Sequence, residues 1–245
     1  MDRLALVDGD VIVYNSGFAS DAAAKASGIE HEPLNYTLHG VNEKLDAIMR
    51  NTQSDDMRIY LSHPVNEREF FYPEYKMNRD TTHKPYWYDE IKHHLLEKHG
   101  AVYSEVGDEA DDALGIAQMA ALAQDEETII CSIDKDLDMI PGLHYNFGPK
   151  RKADGVFDMS DPECLRLFYK QMFTGDTSDN IPGLYKRKNR KATAPILAKL
   201  DALTTNRDMY QYVLSVYGEG EEDHLAMLGK LLWIKRDNEW WSPPA

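Results

Sequence analysis

The chain has 245 residues, 42% of them hydrophobic, and a formal net charge of −15 at pH 7 from 27 basic and 42 acidic residues. This length allows one sizeable domain, with or without a small appendage, and the apolar content suffices for a buried core. The excess of acids argues against nonspecific binding of nucleic acid over the whole surface, although a local basic patch remains compatible with it.

No stretch of the sequence reaches the length of a membrane span, and residues 1–30 carry no basic-apolar signal pattern. We therefore expect a soluble, cytoplasmic protein. The two cysteines, Cys131 and Cys164, form neither a disulfide framework nor a zinc-ligand spacing, and Cys131 is expected to be a buried thiol.

The first predicted strand, Leu4 to Asp10 (LALVDGD), is apolar and ends in Asp-Gly-Asp. Taken alone, this tripeptide favours a turn. A helix is predicted from Val41 to Arg50. The second predicted strand, Arg58 to His63, ends in Ser62 and His63 rather than in a carboxylate.

The segment from Phe70 to Gly100 interleaves Lys76, Arg79 and Lys84 with tyrosines and a tryptophan. This pattern suits a phosphate backbone with stacked, unpaired bases. An exposed loop with its aromatic rings folded inward explains the pattern equally well. An amphipathic helix (Tyr88–Lys98) and a further strand (Ala101–Val106) are predicted next.

The central block carries two groups of acids. Glu109, Asp111 and Asp112 stand at the start of a predicted helix, and Asp134 and Asp136 follow a predicted apolar strand. A helix cap accounts for the first group about as well as a metal site does. It does not account for the second group.

Alternating strands and helices predict an α/β fold with a mostly parallel sheet. Ligands of such sheets bind beyond the carboxyl ends of the strands. Asp8 and the pair Asp134 and Asp136 follow strands, and Glu109 follows one by a short turn. The predicted fold therefore brings these acids to one edge of the sheet.

The C-terminal part contains Asp176 and Asp179, a Pro-Gly turn, a basic run and a helix from about Thr193. Such a unit could clamp a duplex backbone without reading bases, and a solvated charged loop is the alternative.

The basic run at residues 150–152 favours a solvated loop. Trp233, Trp240 and Trp241 are expected to pack a terminal segment onto the body. The candidate DNA-binding residues are Lys76, Arg79, Lys84, Lys186, Arg187, Lys188, Arg190 and Lys191.

Oxygen ligands without a histidine or cysteine cluster favour Mg²⁺ or Mn²⁺. Two such ions suit in-line attack at phosphorus, and nearby cations would neutralise charge on the phosphate. These residues predict a metal-dependent phosphodiesterase, with Lys76, Arg79, Asp8, Asp111 and Asp134 as candidate catalytic residues. The candidate ligands are Asp8, Glu109, Asp111, Asp112, Asp134, Asp136, Asp176 and Asp179.

The ordered motifs VDGD, YPEYKMNRD, GDEADD, SIDKDLD and GDTSDNIPG resemble those of the flap endonuclease and 5′→3′ exonuclease family. This family includes bacteriophage exonucleases and the N-terminal domain of bacterial DNA polymerase I. The resemblance spans roughly Leu4 to Leu200. The phage enzymes look closest, because the Y-K-x-N-R segment and the following Lys-Pro match them as well.

The resemblance implies a PIN-like catalytic domain over residues 1–165, with a helical arch at about residues 70–98. It also implies a helix–three-turn–helix DNA-binding region over residues 166–245. The implied activity is cleavage of DNA near a 5′ end or flap with two Mg²⁺ or Mn²⁺ ions, in phage replication or recombination. Some members also remove RNA from RNA/DNA hybrids. The acids named above would bind metal, Lys76 and Arg79 would contact the scissile phosphate, and we expect a monomer.

Two positions depart from the family pattern. Many members carry an aspartate after the second strand, where this chain has Ser62 and His63, so one ligand is missing or is supplied by Asp10 or a nearby acid. Histidine would also shift the preference toward Mn²⁺. The usual Gly-x-Gly hairpin after NIPG is replaced by LYKRKNRK, which argues against the K⁺ ion that the family places there.

Two other functions compete with the nuclease. The Ser62-His63 departure favours a nuclease-dead protein that binds DNA structures, but the retained carboxylates argue against it. A PIN-type ribonuclease is the other alternative, and the long C-terminal unit counts against that one.

Overall fold

The computed structural model of the chain describes residues 3–79, 83–148 and 155–244. In these ranges a six-stranded sheet has the order β3-β2-β1-β4-β5-β6. Strands β1 to β5 are parallel, and β6 runs antiparallel to β5. The strands are β1 (Leu4–Asp8), β2 (Asp56–Leu61), β3 (Val102–Tyr103), β4 (Thr128–Cys131), β5 (Gly142–Tyr145) and β6 (Val156–Met159). The predicted α/β fold with a mostly parallel sheet is therefore confirmed.

Helices cover both faces of the sheet. One face is packed by α1 (Gly9–Ser27), α2 (Leu34–Thr52) and α4 (Tyr88–His99). The other is packed by α5 (Ala110–Leu122) and the C-terminal helices. The remaining elements are α3 (Arg68–Phe71), a 3₁₀ helix (Asp136–Met139), α6 (Asp161–Thr174), a short hairpin of β7 (Gly175–Asp176) and β8 (Ile181–Pro182), α7 (Leu184–Lys188), α8 (Ala194–Asp201), α9 (Asn206–Tyr217) and α10 (Glu222–Leu232).

The side chains of β1 point alternately to the two faces of the sheet, which explains why a helical layer is needed on each face. Ala5 and Val7 pack into the core under α1, α2 and α4, and Leu6 packs into the core under α5. All three are fully buried. Successive side chains of a strand point to opposite faces, so a central strand that is apolar throughout must be covered on both sides.

The Asp-Gly-Asp tripeptide is not the turn that we predicted, because α1 starts directly at Gly9. Asp8 is the helix cap, and its Oδ1 accepts a hydrogen bond of 3.0 Å from the Val11 N–H. A side chain at Gly9 would lie 2.5 Å from the carbonyl oxygen of Tyr60. Only glycine therefore lets α1 begin this close to β2, which fixes Asp8 and Asp10 at the edge of the sheet.

Other boundaries also differ from prediction. The strand expected at Ala101–Val106 is reduced to β3, an edge strand. Helix α4 lies within the range predicted as an arch, residues 70–98, and its Ile91 and Leu95 are fully buried. The boundary expected after residue 165 falls inside α6. The basic run at residues 150–152 lies outside the described residues.

The tryptophans pack the C-terminal segment onto the body, as predicted. Trp241 is 5% exposed and lies 5.4 Å from Phe168 between ring centroids. The Trp233 ring contacts the same phenylalanine, and Trp240 packs edge-on against Phe71. Both cysteines are buried free thiols. Within the described residues, no helix is long and apolar enough to cross a membrane.

A buried ion pair joins α3, α5 and the C-terminal segment. Arg68 donates hydrogen bonds of 2.6 Å and 2.8 Å to the two oxygens of Asp112 and one of 2.7 Å to the carbonyl of Trp233. The Lys235 N–H donates to Asp112 at 3.0 Å. The Asp112 side chain is fully buried, so Arg68 supplies the charge that makes its burial tolerable.

We expect Arg68→Met to lower the free energy of unfolding by about 3–5 kcal/mol, because Asp112 is then left as an uncompensated buried charge. The double variant Arg68→Met/Asp112→Leu should recover part of this loss. Urea unfolding of both variants measures the difference. Arg207→Met, at an exposed position, is the matched control and should change stability little. Equal losses in the single and double variants would contradict this account of the pair.

Candidate active site

A cavity of about 680 Å³ opens at the carboxyl ends of the central strands. Acids from five parts of the chain line it. Three of them, Asp8, Asp111 and Asp134, come from the end of β1, the first turn of α5 and the loop after β4. The predicted ligands that the structure brings together here are Asp8, Glu109, Asp111, Asp134, Asp136 and Asp179.

Asp8 is held rigidly at the base of this cavity. It is 2% exposed, its Oδ1 accepts from Val11, and its Oδ2 accepts a hydrogen bond of 2.7 Å from the Ser132 hydroxyl. Burial raises the pKa of Asp8 to about 7, and the negative charges of Asp10 and Asp134 add to the effect against the two hydrogen bonds. The raised pKa reflects two features of the site: Asp8 is shielded from water, and other negatively charged side chains lie close to it.

Asp111 and Asp134 contribute to that charge. Burial raises the pKa of Asp111 well above its usual range, and the neighbouring Asp8, Asp134 and Glu109 raise it further. The loop that carries Asp134 is fixed by a hydrogen bond of 3.0 Å from its N–H to Ser132 Oγ. One serine thus contacts both the carboxylate of Asp8 and the backbone of the loop that carries Asp134.

These carboxylates fit a hard divalent cation by their donor chemistry. Crowded acids repel each other and take up protons, unless a cation between them stabilises the ionised forms. In the described residues, no three His, Cys, Asp or Glu side chains are arranged as a ready-made metal cluster. Of the acids that line the cavity, Glu109 and Asp179 are bound to cationic side chains.

Asp136 and Asp176 form a second pair beside the cavity. Burial raises the pKa of Asp136 to about 7, the charges of Asp134 and Asp176 raise it further, and Asp136 shares a hydrogen bond with Asp176. Burial opposes ionisation of Asp176, but hydrogen bonds from Ser178 hold its pKa below the usual value. Asp176 lines a smaller adjoining cavity rather than the main one.

The two predicted phosphate contacts, Lys76 and Arg79, stand at the rim. Lys76 pairs with Glu109, and Arg79 pairs with Asp179. The hydroxyl of Tyr75 lies within hydrogen-bond distance of both acids, 2.7 Å from Glu109 and 3.0 Å from Asp179. Although burial opposes ionisation of Glu109, the charge of Lys76 holds its pKa below the usual value. The rim therefore balances acids with bases, whereas the base of the cavity does not.

Asp112, which we predicted as a metal ligand, does not line this cavity. Its carboxylate is bound by Arg68 and also accepts a hydrogen bond of 3.1 Å from the Glu109 N–H. Glu109 and Asp112 form a capping box at the start of α5. For this residue the helix-cap interpretation of the sequence is right, and the buried arginine is the reason.

The basic residues of the C-terminal unit fall into two groups. Arg187 and Lys188 pair with Glu221, at 2.8 Å and 2.5 Å, and Arg190 donates to the carbonyl of Val216. Lys186 and Lys191 are exposed, and neither forms an ion pair within the described residues. Elsewhere, Lys84 lies over the ring of Tyr88, 4.3 Å from its centroid.

Sequence reasoning missed Arg68 and left Asp10 open. Asp10 lines the main cavity and accepts a hydrogen bond of 3.0 Å from the Ser62 N–H. The Ser62 hydroxyl accepts a hydrogen bond of 2.9 Å from the Ala110 N–H at the start of α5. His63 also lines the cavity. The spacing of Asp-Gly-Asp after a predicted strand indicated that Asp10 could lie near the site. No feature of the sequence around Arg68 distinguished it from an arginine on the surface.

Comparison with known proteins gives related sequences and a related fold. The chain is 27% identical to the DNA polymerase I of Chloroflexus aurantiacus over 221 residues, covering 84% of this chain and 23% of that protein. It is 26% identical to the 5′-3′ exonuclease of Buchnera aphidicola subsp. Schizaphis graminum over 192 residues, covering 75% of this chain and 66% of that protein. The chain thus spans about a quarter of the first relative and just under two thirds of the second.

Two solved structures of bacteriophage T5 proteins share the fold. The T5 flap endonuclease, in a pseudo-enzyme–product complex with DNA and metal ions, has a TM-score of 0.59 at 14% identity, covering 94% of this chain and 87% of that one. The T5 5′-exonuclease with bound zinc has a TM-score of 0.55 at 16% identity, covering 94% and 88%. The family model for the 5′-3′ exonuclease N-terminal resolvase-like domain matches residues 3–141. The chain therefore belongs to the 5′-3′ exonuclease family of nucleases.

Proposed function

We propose that this chain is a divalent-metal-dependent nuclease that hydrolyses DNA phosphodiesters near 5′ ends, both as a 5′→3′ exonuclease and as a flap endonuclease. The observation that carries the proposal is the convergence of Asp8, Asp111 and Asp134 on one cavity, with raised pKa values for Asp8 and Asp111. Carboxylates that crowd together in this way are suited to hold cations. The role we propose is in DNA replication or recombination of the phage type.

Mg²⁺ or Mn²⁺ ions bound here would supply activation of water and stabilisation of the leaving oxygen. Asp8 and Asp111, with Asp134, would hold them at the base of the cavity, and Asp136 would flank them. Lys76 and Arg79 would exchange Glu109 and Asp179 for the oxygens of the scissile phosphate. Each cation would exchange a carboxylate for a phosphate oxygen. The carboxylates of Glu109 and Asp179 would then be free to face the cavity.

The choice of DNA is supported by the T5 relative, since that flap endonuclease was crystallised with DNA and metal ions. We assign duplex binding to residues 166–245, in which Lys186 and Lys191 are exposed cations of the basic run without an ion pair in the described residues. Arg187 and Lys188 would need to leave Glu221 to join them. We do not propose a K⁺ ion at the turn that follows NIPG.

We expect Asp134→Asn to lower the rate of cleavage by on the order of a hundredfold or more while DNA binding persists, because the cavity loses one of its carboxylates. The measurement is cleavage of a 5′-labelled flap duplex and of a 5′-recessed duplex, with Mg²⁺ and with Mn²⁺. Single-stranded RNA as substrate tests the ribonuclease alternative.

Asp125→Asn is the matched control, since Asp125 is exposed in the turn before β4, at the opposite edge of the sheet. If the wild type cleaves no substrate with either Mg²⁺ or Mn²⁺ but still binds DNA, the chain is instead a nuclease-dead DNA-binding protein.

Metal-free stability should fall as the pH rises from about 4 to about 7, because the folded protein keeps protons on Asp8 and Asp136 that the unfolded chain has lost. A cation that binds the ionised carboxylates should therefore raise Tm more above this window than below it. Thermal melts with and without Mg²⁺ or Mn²⁺ at both ends of the window measure the difference. A Tm increase that is independent of pH would argue against metal binding by these acids.

Lys191→Ala should weaken duplex binding and reduce the slope of log K against log[salt] by about 0.9, as expected for one lost phosphate contact. Lys76→Ala should instead reduce cleavage more than binding. Binding titrations at several salt concentrations and single-turnover cleavage separate the two effects. Lys25→Ala, on the exposed last turn of α1, serves as the control.

A further inference from the structure

Asp10 is an acid that neither the cap of α1 nor a salt bridge explains. Asp8 already caps the helix through Val11. Within the described residues no lysine, arginine or histidine forms an ion pair with Asp10, whereas Glu109 and Asp179 pair with Lys76 and Arg79. Acids in the first turn of a helix are favourable in general, but that effect does not require the side chain to face a cavity.

The position of the Asp10 carboxylate is fixed from the neighbouring strand. Its Oδ2 accepts the hydrogen bond of 3.0 Å from the Ser62 N–H, directly after the end of β2. The close approach of α1 to β2 at Gly9 brings the two elements to this distance. Asp10 therefore places a carboxylate at the carboxyl end of β2, although the chain position belongs to α1.

Ser62 itself offers no such group. Its hydroxyl accepts from the Ala110 N–H and so helps to seat the start of α5, the helix that carries Asp111. A neutral hydroxyl in that arrangement is a poor substitute for an anionic oxygen beside a hard cation. Asp10, beside β2, therefore lines the same cavity as Asp8 on β1, Asp111 on α5 and Asp134 after β4.

We propose that Asp10 is a ligand of the divalent cation in this cavity and supplies the carboxylate for the end of β2. The inference rests on the proposed function, since it deepens the same metal site. One oxygen of the Asp10 carboxylate would bind the metal, while the other oxygen keeps the hydrogen bond from the Ser62 N–H. The amide thereby orients the carboxylate in the way that hydrogen-bonded partners orient other metal ligands.

The test is Mn²⁺ binding by isothermal titration calorimetry in the wild type, Asp10→Asn and Glu69→Gln. Asparagine keeps the shape of the side chain and an oxygen that can accept from Ser62. Glu69 is an exposed acid that lines the same cavity, so Glu69→Gln removes one charge from the site without removing the proposed ligand. Metal-free thermal melts establish that each variant is folded, and Asp10→Ser replaces Asp10→Asn if the latter is not.

We expect Asp10→Asn to weaken Mn²⁺ binding by on the order of tenfold or more, and Glu69→Gln to weaken it by much less. Equal affinities in the two variants would overturn the assignment of Asp10 while leaving the metal-dependent function intact. Absence of Mn²⁺ binding in the wild type would overturn both the assignment and the metal dependence in the proposed function.

Discussion

Mutual repulsion among carboxylates that crowd one cavity is the constraint around which this structure is arranged. Asp8, Asp111 and Asp134 come from two strand ends and one helix start, and burial together with neighbouring charge raises the pKa of Asp8 and of Asp111. Keeping them together needs a rigid scaffold. The parallel sheet supplies it, because the carboxyl ends of its strands meet at one edge, and the Ser132 hydroxyl and amide hydrogen bonds fix the individual side chains.

The remaining acids of the region are neutralised in different ways, and these differences separate their roles. Asp112 is paired with the buried Arg68, so it holds α3, α5 and the C-terminal segment together rather than facing the cavity. Glu109 and Asp179 are paired with the rim cations Lys76 and Arg79, which a phosphate could attract away. A charge of −15 over the whole chain is thus compatible with a nucleic-acid substrate, because Lys76 and Arg79 stand at the rim of the cavity.

The C-terminal half contributes to the site through packing as well as through charge. The carbonyl of Trp233 and the N–H of Lys235 complete the environment of the Arg68–Asp112 pair. A side chain at Gly115 on α5 would lie 2.3 Å from the Lys235 carbonyl oxygen, so α5 and this segment are in direct backbone contact. The position of Asp111 on α5 therefore depends on the last part of the chain being docked.

The sequence by itself determined the α/β class, the apolar strands and the acids that follow them, because strand ends and helix starts are set by local patterns of apolar and capping residues. It also placed Asp8 and Asp134 at one edge, since parallel strands leave no other arrangement. Only the tertiary structure decided which acids face the cavity. Asp112 is turned away by an arginine 44 positions earlier in the chain and by an amide 123 positions later. Asp10 is turned inward by an amide 52 positions away. Partners at such separations meet only when the chain has folded, and no local pattern of the sequence records them.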